Sequence, residues 1–138
     1  MPDDRSARVA DELEIRNAIA RIALLADHGD LDDYEELFTD DAVWDFPLGA
    51  RRGRADIRAG AEERRADGVT GPGSATRHVI TNVCVTVDGS DRATADSYFV
   101  FFRQTTTAPT IFNMGHYRDT FQREAGGWRL ARRAITLG

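Results

Sequence analysis

The sequence contains no lysine: all 18 of its basic residues are arginine, and 23 acidic residues give a net charge of -5. The absence of lysine excludes Schiff-base catalysis and a phosphate-binding loop of the Walker type, since both need a lysine amine. The negative net charge argues against nucleic acid or an anionic membrane surface as the main partner. We therefore expect a small molecule, rather than a polyanion, as the partner.

Cysteine and long apolar runs are also scarce. The single cysteine, Cys84, cannot form an internal disulfide, so nothing indicates an oxidising compartment. No apolar run approaches the ~20 residues that a membrane helix needs, and the acidic, polar first residues do not resemble a signal peptide. These features predict a cytoplasmic protein without a membrane partner.

The common short motifs of catalysis and cofactor binding are missing as well. The sequence has no CxxC, HExxH, GxSxG or GxGxxG. Its three histidines, His28, His78 and His116, lack the spacing of metal ligands. We therefore expect no metal and no cofactor, and any chemistry must come from the side chains themselves.

What is present fits one soluble globular domain over residues 1–138, with 41% apolar and 30% charged residues. After a frayed start over residues 1–7, apolar residues recur at helical spacing from Val9, and Gly29 is a stop signal. The pattern predicts three helices, with Asp30 capping the second, over residues 9–28, 31–38 and 55–66.

Segments rich in β-branched and aromatic residues follow the helices. They predict strands over residues 42–46, 76–87, 92–104, 110–124 and 128–137. The run Tyr98–Phe102 is apolar on both faces, which is typical of a central strand. Helices followed by a meander of strands indicate an α+β protein. We expect three N-terminal helices over the concave face of a strongly curved antiparallel sheet, which would enclose a cone-shaped pocket.

His78 and Asp27 are the candidate catalytic residues. His78 shares a predicted strand face with Ile80, Asn82 and Cys84, and a lone histidine there is more often a core residue with a backbone partner. Asp27 lies at the end of the first helix, where a negative charge is unfavourable with the helix dipole, so it is a candidate for a distant partner. A buried Asp–His pair would fix the imidazole tautomer for proton abstraction.

Further candidates for substrate binding are side chains that could line the same pocket. Trp44 is equally a core residue or a pocket wall, and Arg132 and Arg133 point to opposite faces, so at most one lies inward. His116 and Tyr117 alternate in the same way. The predicted set is Trp44, Tyr98, Asn82, His116 and Arg133.

The chain resembles the SnoaL-like branch of the nuclear-transport-factor-2-like superfamily, from Asp11 to Ile135. The resemblance rests on the order and spacing of ADHGDLDDYEELFTDDAVWDF, GxxxGRADIRAG, ATRHVITN, GHYRDTF and GGWRLARR. In dehydratase and dehydrochlorinase members, an aspartate at the helix bend pairs with a histidine that acts as base, and these positions match Asp27 and His78. Trp44 and Arg133 match the dehydrochlorinase pattern, whereas its helix lysine is absent and Ala26 replaces the dehydratase tyrosine.

The resemblance implies a small cofactor-independent lyase or isomerase of the dehydratase, dehydrohalogenase or cyclase type. In it, His78 would abstract a proton from carbon of an apolar or aromatic small molecule. The alternative is a non-catalytic binding or accessory module of the same fold. A third possibility, a cyclase that uses His116 with Asp119, requires side chains on opposite strand faces to converge. The uncovered face of the sheet predicts a homodimer or homotrimer.

Overall fold

The structure, a computed structural model that describes residues 4–138, consists of three helices and one six-stranded sheet. The helices are α1 (Asp4–His28), α2 (Leu31–Glu35) and α3 (Arg54–Ala66). The strands are β1 (Phe38–Asp45), β2 (Arg51–Arg52), β3 (Arg77–Asp88), β4 (Arg92–Arg103), β5 (Thr110–Glu124) and β6 (Gly127–Leu137). The predicted α+β fold, three helices on a sheet, is confirmed.

Helix α1 packs on the sheet through one apolar stripe. Ile15, Ile19 and Ile22 are at most 2% exposed and recur at helical spacing along it. The helix begins at Asp4, so the prediction of a frayed start is wrong for residues 4–7, and residues 1–3 lie outside the described part. Neither α1 nor any other helix within residues 4–138 is long and apolar enough to span a bilayer.

Helix α2 is shorter than predicted because its expected last turn belongs to the sheet. Asp30 caps it as predicted, with a side-chain oxygen that accepts a 2.7 Å hydrogen bond from the backbone N–H of Asp32. The helix ends at Glu35, and the Leu37 carbonyl accepts a 2.8 Å bond from the backbone of Leu130. Phe38 then starts β1 with no exposed surface, so pairing with β6 overrides the local helix preference.

The strand order of the sheet is β2-β1-β6-β5-β4-β3. All neighbouring strands are antiparallel except β1 and β6, which are parallel, so the sheet is mixed where a purely antiparallel one was predicted. The difference follows from the connectivity: β1 joins the sheet through β6, which comes last in the chain. The two-residue strand β2 lies in a segment for which no strand was predicted.

One strand irregularity decides which side chains of β3 face the helices. The register of β3 against β4 shifts between Thr81 and Cys84, and Asn82 there has a φ of 56°, the left-handed region that asparagine tolerates. Beyond this bulge, Val85 is buried and Cys84 is exposed. In β4 the burial alternates, so the predicted two-sided burial is wrong for Tyr98, which is 47% exposed.

Candidate active site

Asp27 and His78 meet between the end of α1 and the start of β3. An Asp27 carboxylate oxygen lies 2.7 Å from His78 Nδ1, and the backbone N–H of His78 donates to the same carboxylate at 3.0 Å. Asp27 is 6% exposed, and His78 retains 21% of its side-chain surface. The carboxylate therefore fixes both the backbone and the ring of His78.

The helix end that carries Asp27 is held by an arginine from α3. Arg65 donates hydrogen bonds of 2.8 Å to the carbonyls of both Leu25 and Gly29 at the end of α1, where the Leu25 carbonyl also accepts from the Gly29 N–H at 3.0 Å. A cation at a helix C-terminus is favourable with the helix dipole, and it offsets the unfavourable placement of Asp27. The side chain of Arg65 therefore orders the turn from which Asp27 reaches the sheet.

The pairing determines which nitrogen of His78 can react. An ionised carboxylate only accepts hydrogen bonds, so Nδ1 carries a proton and Nε2 keeps its lone pair. Among residues 4–138, the only side-chain hydrogen bond that His78 makes is the one to Asp27. The ring packs against Phe101, with centroids 4.7 Å apart, and lines a cavity that we call the main cavity because His78 belongs to its wall. Nε2 is therefore available to a ligand.

The main cavity has a volume of about 230 Å³ and walls that are mostly apolar. Its aliphatic and aromatic walls come from α1 and from both halves of the sheet, and they include Ile22, Trp44, Ile80, Phe99, Phe101 and Ile135. Such a surface suits an apolar or aromatic molecule whose polar atoms meet the few polar groups in the wall.

Arg133 is the buried cation of this wall, whereas Arg132 points outward to a 2.7 Å ion pair with Asp45. Two nitrogens of Arg133 bind the two oxygens of Asp119 at 2.8 and 2.9 Å. Burial alone would lower the pKa of Arg133, but the charge and hydrogen bonds of Asp119 outweigh it and raise that pKa. The guanidinium, stacked 3.9 Å from the Tyr117 ring centroid, therefore stays charged.

Two buried tyrosines in the wall stay protonated at neutral pH. Burial raises the pKa of Tyr117 to about 12, opposed by the charge of Arg133 and reinforced by that of Asp119. Burial also raises the pKa of Tyr34, which the cations Arg64 and Arg133 oppose. Both phenols are therefore hydrogen-bond donors in the cavity wall rather than anions.

The structure places two of the predicted substrate-binding residues on the other side of the sheet. His116 and Tyr98 are cross-strand neighbours on the face away from the helices, and His116 binds Asp96 at 2.9 Å. Their placement in the pocket was wrong because Tyr117 and Phe99, the alternate residues on the same strands, face the helices. His116 and Asp119 lie on opposite faces, so the alternative pair does not form.

Asn82 also lies outside the cavity. The prediction extended the alternation from His78 through Ile80 to Asn82, but the bulge adds a residue there and Asn82 is exposed. Its amide oxygen accepts a 2.9 Å hydrogen bond from the neighbouring Thr81. Of the predicted site residues, Asp27 lies beside the cavity wall, and His78, Trp44 and Arg133 line it.

Sequence reasoning missed Tyr34 and Arg64 as cavity residues. Tyr34 lies three residues after the buried Leu31, a helical spacing that could have marked it as inward. Arg64 had no such signal, because it sits among surface arginines at the end of α3. Within residues 4–138, no three histidine, cysteine or acidic side chains form a cluster that could hold a metal ion.

Comparison with known proteins gives the family. The family model described as SnoaL-like domain matches residues 7–134. An uncharacterized protein of Mycobacterium tuberculosis is 30% identical over 134 residues, which cover 94% of this chain and 87% of that protein.

Solved structures of similar fold agree with this match. An NTF2-like protein with a cystatin-like fold from Novosphingobium aromaticivorans is 32% identical, with a TM-score of 0.82 over 99% of this chain and 91% of the other. A Mycobacterium tuberculosis protein of unknown function is 28% identical, with a TM-score of 0.85 over 99% and 76%. A scytalone dehydratase-like protein from Novosphingobium aromaticivorans, 20% identical with a TM-score of 0.77 over 100% and 89%, shares the fold. The chain belongs to the SnoaL-like domain family of the NTF2-like superfamily.

Proposed function

We propose that the protein is a cofactor-independent lyase or isomerase that removes a proton from carbon of an apolar small molecule. His78 Nε2 takes the proton, and Asp27 holds the ring through Nδ1 and stabilises the imidazolium that forms. The observation that carries the proposal is the 2.7 Å contact between Asp27 and His78 Nδ1 at the wall of an apolar cavity.

Charge that develops on the substrate has suitable partners in the same wall. Arg133 stays cationic, and Tyr117 stays a neutral donor because its pKa is about 12. Donors in a cavity that excludes water stabilise an enolate oxygen or a departing anion more strongly than water-exposed donors would. Tyr98, a sequence-based candidate for substrate binding, lies on the opposite face of the sheet, whereas Tyr117 lines the cavity.

Family membership supports the reaction class without identifying the substrate. The superfamily includes dehydratases and cyclases, and one structural neighbour of this chain is a scytalone dehydratase-like protein. The cavity of about 230 Å³ would accept a molecule with one or two rings.

Proton abstraction can be tested without knowledge of the product. The protein is incubated in D₂O with a panel of cyclic ketones and β-hydroxy ketones, and proton NMR follows the loss of C–H signals. We expect exchange or elimination with at least one compound. His78→Ala should slow it by about 10²- to 10⁴-fold, the usual contribution of a positioned base.

His116→Ala is the matched control, because His116 also pairs with a carboxylate, at 2.9 Å from Asp96, but on the outer face of the sheet. This variant should keep the wild-type rate. An unchanged rate in His78→Ala, with its fold intact by circular dichroism, would contradict the assignment of the base.

The alternative is an accessory or binding module, and one observation favours it. The fold is shared with a beta subunit that resembles those of aromatic-ring-hydroxylating dioxygenases, 21% identical with a TM-score of 0.76. The exposed outer face of the sheet, with Val79, Tyr98 and Met114, could hold another chain. Ligand binding without deuterium exchange for every compound of the panel would favour this alternative.

A further inference from the structure

A second cavity adjoins the main one, and Arg64 belongs to the wall of both. The second cavity has a volume of about 520 Å³ and lies beside β2 and the loop that precedes it. Trp44, Phe46 and Arg64 are the residues that the two cavities share. Arg64 therefore lies at the boundary between the apolar main cavity and the more polar second cavity.

Arg64 differs from the other half-buried arginines around it because, within residues 4–138, it binds neither a carboxylate nor a backbone carbonyl. The neighbouring arginines bind carboxylates or carbonyls: Arg51 with Asp56 and Glu63, Arg54 with Asp40, Arg58 with Asp32, Glu35 and Glu62, Arg65 with the end of α1, and Arg133 with Asp119. No carboxylate within residues 4–138 forms an ion pair with Arg64, although its side chain is half-buried. A partly desolvated cation without a counter-charge is unfavourable unless a ligand supplies one.

The hydroxyl of Tyr34 adds a second unpaired polar group at the same place. Tyr34 has no exposed surface, and its hydroxyl forms no hydrogen bond within the described chain. Arg64 lies near enough to favour the phenolate, yet the two groups do not meet hydrogen-bond geometry. A ligand that fixes the position of the guanidinium could also allow it to donate a hydrogen bond to this hydroxyl.

We propose that Arg64 is the binding site for a carboxylate of the ligand, so that the ligand is an apolar or aromatic acid. The proposal deepens the function proposed above, because it takes the cavity beside His78 as the substrate site. The carboxylate sits against Arg64, and the apolar body extends along Trp44 and Phe99.

A single negative charge fits this site better than a phosphate dianion. Arg133, the other arginine of the main cavity, is neutralised by Asp119, and Arg51 in the second cavity is neutralised by two carboxylates. One unpaired planar guanidinium is complementary to one carboxylate. Arg64 approaches from α3, which packs on β1, whereas His78 lies on β3 at the far edge of the sheet. The acid group therefore binds away from the reacting carbon.

The test uses isothermal titration calorimetry with 2-naphthoate, the neutral 2-naphthamide and 2-naphthyl phosphate. The wild-type protein should bind 2-naphthoate tightest. Arg64→Met should weaken that binding by about 10- to 100-fold, the usual weight of a charge-assisted hydrogen-bonded pair, and should leave 2-naphthamide within about twofold.

Arg52→Met is the matched control. It removes the same charge from exposed β2, where Arg52 lines neither cavity and forms no ion pair within the described residues. Its binding of 2-naphthoate should equal that of the wild type. Equal weakening in both arginine variants, a preference for the amide or the phosphate, or no binding of 2-naphthoate would overturn the proposal.

The result is separable from the test of catalysis. Calorimetry needs no turnover, so the effect of Arg64→Met on the binding of 2-naphthoate does not depend on whether His78 acts as a base. If the wild-type protein shows no exchange but Arg64→Met still loses the carboxylate preference, the reaction proposal fails and the binding site stands. If the wild-type protein shows exchange but Arg64→Met keeps the carboxylate preference, the anion site fails and the reaction proposal stands.

Discussion

Each charged residue at the cavity is held in a different way. Asp27 accepts from the ring and backbone of His78, and Arg133 is bound at two points by Asp119. Arg64 has no anionic partner within residues 4–138. Two of these charged groups are therefore hydrogen-bonded within the protein before a ligand arrives, while the third is available to one.

Tyr117 allows a prediction about alkaline stability. Its pKa is raised from 10.0 to about 12 chiefly by burial, so above pH 10 the unfolded chain loses this proton before the folded protein does. The stability that Tyr117 contributes is complete below pH 10 and is lost as the pH rises towards 12. The free energy of unfolding should fall by up to ~1.4 kcal/mol per pH unit for each such group.

Urea unfolding at intervals from pH 9 to 12 measures this slope. Tyr117→Phe keeps the ring that packs on Arg133 but has no proton to lose, so its slope should be shallower by about one proton. The variant must be compared with wild type at pH 8 first, to separate the constant effect of losing the hydroxyl. Identical slopes for the two proteins would show that Tyr117 does not titrate in this range.

At the scale of the strand, the bulge in β3 determines which residues face the helices. Asn82 adopts a φ of 56°, which costs a β-branched residue about 1–2 kcal/mol and costs glycine little. Asn82→Val should therefore lower the free energy of unfolding by about that amount, and Asn82→Gly should change it little. Chemical denaturation followed by circular dichroism gives the values.

Thr86→Val is the control for this prediction, since Thr86 is an exposed residue in a regular part of the same strand. Thr86→Val should change the free energy of unfolding by no more than about 0.5 kcal/mol. A similar cost for both valine variants would mean that the bulge is not the source of the strain.

The same element shows what the sequence could predict and what it could not. Period-two alternation placed His78 and Ile80 on the cavity side, and the unfavourable position of Asp27 marked it as a partner for a distant group. The alternation failed at Asn82, because one inserted residue reverses the facing of everything beyond it and no local signal is strong enough to predict it. It could not choose between His116 and Tyr117 either, since that choice depends on the neighbouring strand.

Long-range pairing accounts for the other differences. Phe38 was predicted to be helical, but it pairs with Leu130 from the far end of the chain. The parallel contact of β1 with β6 has no local signature, because it depends on which strand edges remain free after the meander has formed. The proposed anion site also depends on such contacts: Arg64 resembles the neighbouring arginines in sequence, and only the structure shows that it lines both cavities without an ion-pair partner within residues 4–138.

For the whole molecule, the outer face of the sheet is the surface that three helices do not cover. Val79, Tyr98 and Met114 lie on it and are 46% to 47% exposed, on three adjacent strands. We propose that two copies of the chain, or three, associate through this face. A cytoplasmic location stays a prediction.

Tyr98→Glu tests this association because it places a charge at the centre of the face. Light scattering after size exclusion should give a multiple of 15.3 kDa for the wild type and should shift towards the monomer for the variant. Ala66→Glu adds the same charge to exposed α3 and should not change the mass. A monomeric wild-type protein at every concentration would contradict the proposed association.

The parallel contact between β1 and β6 also affects how the protein can be made. During synthesis on the ribosome, β1 and β2 emerge early and can pair with each other, but they have no other neighbour in the sheet until residues 127–137 have left the exit tunnel. Until then, Trp44 and Phe46 of the nascent chain are not packed against the rest of the sheet. Arg133 arrives on that same last strand, so one step joins the two parts of the sheet and completes the cavity.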